Sequence, residues 1–169
     1  MTLSTYLLYL AAVALLVLSP GPTMLMCVTN AINHGPRAAL LSATGSVTAA
    51  LAVMLLSVLG LGALLAASEA AFTLLKTVGA LYLVWLGIKT FRSKSLPMAE
   101  RVDDPSAAPG ARQSFYLQGL MVGGSNPKAI LFFAALFPQF LNAAAPLWPQ
   151  LLVLALTFAA FELTVLTLC

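Results

Sequence analysis

An all-α membrane protein with five transmembrane helices is the fold class predicted from the sequence, and three observations carry that prediction. The chain is 61% hydrophobic and only 8% charged over 169 residues, with a mean hydropathy of +0.99. A soluble domain is about 45–50% apolar and about 25% charged, and a fold of this size leaves roughly 30% of its chain surface in water. The apolar residues also come in continuous blocks and not at alternating positions, which excludes a β-barrel. At about 20 residues per span, the length admits about five or six helices.

The first block, Leu3–Leu18, is interrupted by Ser19-Pro20-Gly21-Pro22 and resumes over residues 23–32 before the turn Asn33-His34-Gly35-Pro36-Arg37. Its start carries no basic segment and no small-residue cleavage motif, so it is expected to remain as span one. Span two covers residues 38–68 without a charge, and Gly60 and Gly62 offer it a bend or a stop. Its Gly45, Ala49 and Ala50 recur at helical spacing and favour close helix packing. Span three covers residues 70–88 and contains Lys76, about 9 Å from its outer end and able to snorkel there.

Residues 89–114 are the hydrophilic linker, rich in proline and small residues and expected to be irregular. Span four covers residues 115–140 and is broken at Gly123-Gly124-Ser125-Asn126-Pro127-Lys128. A turn at 141–149 leads to span five, residues 150–168, which contains Glu162. The chain thus reads as one transmembrane domain: a first helical repeat (1–88), the linker (89–114) and a second, incomplete repeat (115–169).

Orientation follows from Lys and Arg in the short loops. Arg37, Lys89, Arg92, Lys94, Arg101 and Arg112 all fall on one side if the spans alternate, and the loops near Glu69 and Asn142 have none. The 89–114 loop is therefore expected in the cytoplasm, with the N-terminus outside. Most of the basic residues behind the net charge of +3 are crowded into this loop, which indicates orientation and anionic lipid in place of nucleic acid. His34 beside Gly35 reads as a solvated turn residue.

Proline has no N–H and its ring clashes with the carbonyl four residues back. Pro20 and Pro22 should free the carbonyls of Leu16 and Leu18, and Pro127 that of Gly123. Bare carbonyls are tolerated in a membrane only where protein or a water-filled cavity receives them. Each break has the same form, an apolar half-helix followed by a new helix starting at proline. They lie three spans apart, an odd number, so the two units must be inverted. Interrupted helices at matching places of inverted halves point to a transporter's substrate site.

Pro20, Gly21, Pro22, Asn126 and Pro127 are accordingly expected to shape a substrate site. Lys128 would sit at the positive end of a half-helix, an attractive place for a substrate carboxylate. Insertion of such a group at mid-helix costs about 2.5–3.5 kcal/mol. Its structural alternative is pairing with Glu162 or with a freed carbonyl. Glu162 suits a substrate ammonium, or the proton of an antiport cycle, or simply Lys128. Thr23, Asn30 and Gln139 are polar groups expected to line the path.

The same residues resemble the LysE/RhtB-type amino-acid exporters. The likeness rests on Ser19-Pro20-Gly21-Pro22, Asn30 and Gly35-x-Arg37, on Gly79-Ala80-x-Tyr82-Leu83-x-x-Leu86-Gly87, and on Asn126-Pro127-Lys128 with Phe137-Pro138-Gln139-Phe140. It covers about residues 15 to 140, and the RhtB-like homoserine/threonine branch looks closer than the lysine-exporting one. The resemblance implies a bacterial inner-membrane protein that exports amino acids or relatives such as homoserine lactone. Such proteins run on into a sixth hydrophobic helix, which is missing after Cys169. The alternative expectation is therefore a truncated, transport-incompetent member.

Other classes fit poorly. A membrane electron carrier would need a cysteine at each break; Cys27 follows the first and none follows the second. An intramembrane protease needs Ser with His, or two Asp, within the spans. Neither metal nor cofactor is expected, and no GK[ST] phosphate loop is present to drive transport by ATP. An ion gradient remains, the proton being the expected coupling ion. The expected partners are a small zwitterionic amino acid, the coupling ion, the bilayer and, through the small-residue faces, a second copy in a homodimer.

Overall fold

The computed structural model describes residues 1–67, 111–142 and 144–168, with the single positions Thr73, Leu74, Thr77, Leu81, Val84, Trp85 and Ile88. Lys76, Glu69, most of the third span with its Gly79–Gly87 motif, residues 89–110 of the linker and Cys169 lie outside the described residues.

Every regular element among the described residues is helical. The order is α1 (Leu3–Leu18), α2 (Pro22–His34), α3 (Pro36–Ala67), α4 (Ala111–Gly124), α5 (Pro127–Leu131), a π-helical segment (Phe132–Leu136), a 3-10 turn (Phe137–Phe140) and α6 (Leu147–Leu168). Pro36–Gly60 and Leu147–Leu168 are each long and apolar enough to cross a membrane. The pairs flanking the two proline breaks bend by 52° and 50° and raise that number to four if each counts as one span. Span three, expected at residues 70–88, falls mostly among residues not described.

Local chemistry sets the helix ends. Thr2 caps α1 by accepting the Thr5 N–H at 3.2 Å, and α2, α3 and α5 each begin on a proline, whose missing N–H is no loss at that position. Gly35 closes α2 at φ 83°, a left-handed conformation that suits glycine, and sends the chain straight into α3. Two boundaries differ from the sequence reading. α3 passes through Gly60 and Gly62 without stopping, and α4 starts at Ala111, inside the stretch expected to be irregular.

α3 and α4 pack almost backbone to backbone. A Cβ on Gly45 would lie 2.1 Å from the Tyr116 carbonyl oxygen, and one on Gly119 would lie 2.0 Å from that of Ser42. Gly123 also faces Ser46 closely, an added Cβ lying 2.7 Å from it. Small residues here serve the close approach expected of Gly45, and bare backbone meets bare backbone along two turns.

The main core lies further along, where Tyr9 of α1 meets Phe132, Phe133, Phe137 and Phe158, all nearly inaccessible. The rings meet edge to face at 5.0–6.1 Å. Pro138 cannot donate to the Ala134 carbonyl, and the helix before it widens into the π form. The Ser57 hydroxyl of α3 donates to the Phe133 carbonyl in that segment, and the Gln139 amide to that of Ala135 at 3.0 Å.

The ends of the bundle are marked by contacts. At one end the His34 ring lies 5.1 Å from Phe115, joining the Gly35 turn to the start of α4. At the other, Met1, Thr2 and Thr5 meet Gln139, Phe140, Leu141 and Asn142 around a cavity of about 250 Å³. Gln150 orders the adjoining turn, accepting from the Asn142 N–H at 2.9 Å and donating to the Asn142 and Pro146 carbonyls at 3.0 Å.

Candidate functional site

The two breaks meet in the middle of the bundle. At the first, α1 ends on Ser19 in an extended conformation (φ −72°, ψ 117°) and α2 starts after an equally extended Gly21. The carbonyl of Leu16 has lost the N–H that residue 20 would supply were it not proline. At the second, Ser125 returns its N–H and hydroxyl to the Met121 carbonyl at 2.9 and 2.7 Å. The Asn126 N–H donates to the Gly123 carbonyl freed by Pro127, at 3.3 Å. The second break is therefore satisfied from within its own loop.

Two carbonyls of the first break are satisfied from across the bundle. The Lys128 ammonium donates to the carbonyls of Leu16 and Ser19, at 2.6 Å each. It also sits over Gly21, where an added Cβ would lie only 3.3 Å from Nζ. Asn126 makes the second bridge: its Oδ1 accepts the Lys128 N–H at 3.1 Å and caps α5, while its Nδ2 donates to the Thr23 hydroxyl at 3.1 Å. Thr23 and Asn126 are 3% and 5% exposed, so in this dry setting each lost bond would leave a costly orphan. Pro20, Gly21, Pro22, Thr23, Asn126, Pro127 and Lys128 thus form one constellation.

The first turn of α2 has no side-chain cap. Its N–H groups, with the positive end of the helix, face the same region as the Lys128 ammonium.

Glu162 on α6 lies close enough to Lys128 for their charges to interact. Among the described residues, however, the two form no ion pair within 4.0 Å. The carboxylate accepts no hydrogen bond from a described residue, and neither of its oxygens is sealed from access. Lys128 is held by backbone carbonyls, the second half of the structural alternative that the sequence leaves open.

Two of the polar groups expected beside the breaks lie elsewhere. Asn30 sits two turns further along the buried face of α2 and donates to the Ser42 hydroxyl at 2.7 Å and the Gln118 Oε1 at 2.9 Å. Helical periodicity puts it on the same face as Thr23, but on a different level. Gln139 lies beyond the aromatic core, at the cavity near Met1, twelve residues along the bent span from Pro127. Gln118 is the polar partner that sequence reasoning missed, although it is the one amide in the apolar run 115–124. Among the described residues no three His, Cys, Asp or Glu side chains cluster as metal ligands would.

Continuous apolar helices, two of them bent at proline breaks whose polar groups converge, define a multi-pass helical membrane protein of the transporter class. Residues 14–169 match the family profile of the LysE type translocators, and the chain belongs to that family. It is 38% identical over 168 residues to a homoserine/homoserine lactone efflux protein of Salmonella typhimurium, covering 99% of this chain and 79% of that protein. A leucine efflux protein of Klebsiella pneumoniae is 32% identical over 140 residues, 83% of this chain and 65% of its own length. An uncharacterized membrane protein of Bacillus subtilis is 30% identical over 154 residues, 88% of this chain and 73% of its own. No solved structure matches the chain.

Proposed function

We propose that this translocator is a secondary exporter of small amino acids and their derivatives across the bacterial inner membrane, with homoserine and its lactone as first candidates. The observation that carries the reading is the meeting of the breaks: Lys128, at the start of the second half-helix, holds the carbonyls of the first. Converging interrupted helices offer a small zwitterion polar partners deep in the membrane. The names of the efflux relatives supply the substrate class.

In this reading the substrate carboxylate approaches the uncapped N-terminus of α2 and the ammonium of Lys128. Asn126 and Thr23 keep the two half-helices in register. Glu162, free of hydrogen bonds to described residues, carries the proton of the exchange cycle. Asn30 lies on the path at the end marked by His34 and Phe115, and Gln139 lines it at the end of the Met1 cavity. Residues 1–88 and 115–169 act as two inverted units around the 89–114 linker, which faces the cytoplasm while the N-terminus lies outside, in five spans. The small-residue faces leave a homodimer as the expected assembly.

The experiment is efflux of radiolabelled homoserine from loaded cells that produce the chain, with and without a protonophore. Accelerated efflux that the protonophore abolishes supports proton-coupled export. Efflux no faster than in cells lacking the chain contradicts it.

A further inference from the structure

The two carbonyls beneath Lys128 form a recognisable binding geometry of their own. Leu16 has a free acceptor because residue 20 is proline, and Ser19 has one because the chain leaves the helix there in an extended conformation. Both point at one nitrogen, 2.6 Å away in each case, a length suited to a charge-assisted bond. An ammonium has three N–H donors and no acceptor, and two are used here. Gly21 keeps the approach clear of side chain, since even a methyl group there would come within 3.3 Å of the nitrogen.

Backbone carbonyls recognise the –NH3⁺ head and nothing beyond it, so any primary ammonium of small girth satisfies the pair as Lys128 does. That head is common to homoserine, its lactone and leucine. We infer that the Leu16–Ser19 carbonyl pair is an ammonium subsite, filled by Lys128 in the empty protein and by the substrate's α-ammonium in the loaded one. The exchange replaces one cation by another, so no buried carbonyl is left bare at any stage. It also releases Lys128 towards the incoming carboxylate. The identity of the loaded ligand rests on the export reading; the subsite itself does not.

Purified Lys128→Ala in detergent tests the subsite without any transport step. Methylammonium and ethylammonium are expected to raise its melting temperature by about 2–4 °C near saturation. Tetramethylammonium, which has no N–H, should leave it unchanged, and the wild-type chain should respond to none of the three. No shift with methylammonium, or an equal shift with tetramethylammonium, overturns the inference. Should the variant fail to accumulate, growth with methylammonium is expected to restore its yield, and absence of recovery while Lys128→Arg accumulates normally counts against the subsite. A positive shift together with no homoserine efflux by the wild type would refute the export reading and leave the subsite standing.

Discussion

The ammonium of Lys128 donates at 2.6 Å to the carbonyl of Leu16, the acceptor that Pro20 strips of its helical partner. The two residues are 112 positions apart, and the bond joins the second break to the first. A proline that would be a defect in one helix is thus completed by a charge from the other.

The bond can be dissected by a double-mutant cycle. Lys128→Met alone leaves buried carbonyls unsatisfied and should destabilise the purified protein by about 1–3 kcal/mol. Pro20→Ala returns an N–H to Leu16, so the double variant should recover about 1 kcal/mol relative to the sum of the singles. Strict additivity in chemical denaturation would show that Lys128 does not serve the Leu16 carbonyl.

Asn126 has two separable jobs. Asn126→Ala removes the α5 cap and the bond to Thr23 and should cost about 1–2 kcal/mol. Asn126→Ser keeps a capping oxygen and should restore the cap but not the reach to Thr23. Thr23→Val does the converse, leaving the cap intact while orphaning the Asn126 amide. Thermal melts of the three should rank Asn126→Ala lowest, and equal stability of all three with the wild type would deny both roles.

Glycine substitutions separate the α3–α4 contact from general helix effects. Gly119→Ala would place a methyl 2.0 Å from the Ser42 carbonyl oxygen, so the helices must part and folded yield should collapse. Gly60→Ala meets nothing within 4 Å among the described residues and should be neutral or stabilising by up to about 1 kcal/mol. Size-exclusion profiles of the two variants make the comparison, and a monodisperse Gly119→Ala would contradict the backbone-to-backbone packing.

Orientation is checked by chemical labelling. In a variant without native cysteines, Ser106→Cys should resist impermeant thiol reagents in intact cells, while Ala144→Cys should react. The reverse pattern would turn the proposed topology over.

Much of this architecture is legible in the sequence, for a physical reason. Hydrocarbon tolerates few polar backbone groups, so Pro20, Pro22 and Pro127 announce both the breaks and the carbonyls they free. The freed carbonyls of Leu16 and Gly123 are where proline chemistry puts them. What could not be read is which group answers each one. Lys128 had two electrostatically reasonable partners, and only the fold, which leaves Glu162 beyond ion-pair distance, decides between them. The widening of the helix before Pro138 is not legible in the spacing of residues along the chain. Gln118 was overlooked because a lone amide in an apolar run gains meaning only when Asn30 is brought opposite it. The tight α3–α4 packing, by contrast, was visible at Gly45, where the sequence supplies no side chain to keep backbones apart.

The central claim is that the converged breaks form the export site, and Pro127→Ala tests it most directly. Alanine restores an N–H and lets the second broken span close into a continuous helix, without adding charge or bulk. Efflux of labelled homoserine should be measured from cells carrying wild-type or variant chain at matched membrane abundance. The account predicts a fall of at least about tenfold in initial rate, equivalent to about 1.4 kcal/mol in the barrier. An unchanged rate at equal abundance would contradict it and reduce both breaks to packing kinks.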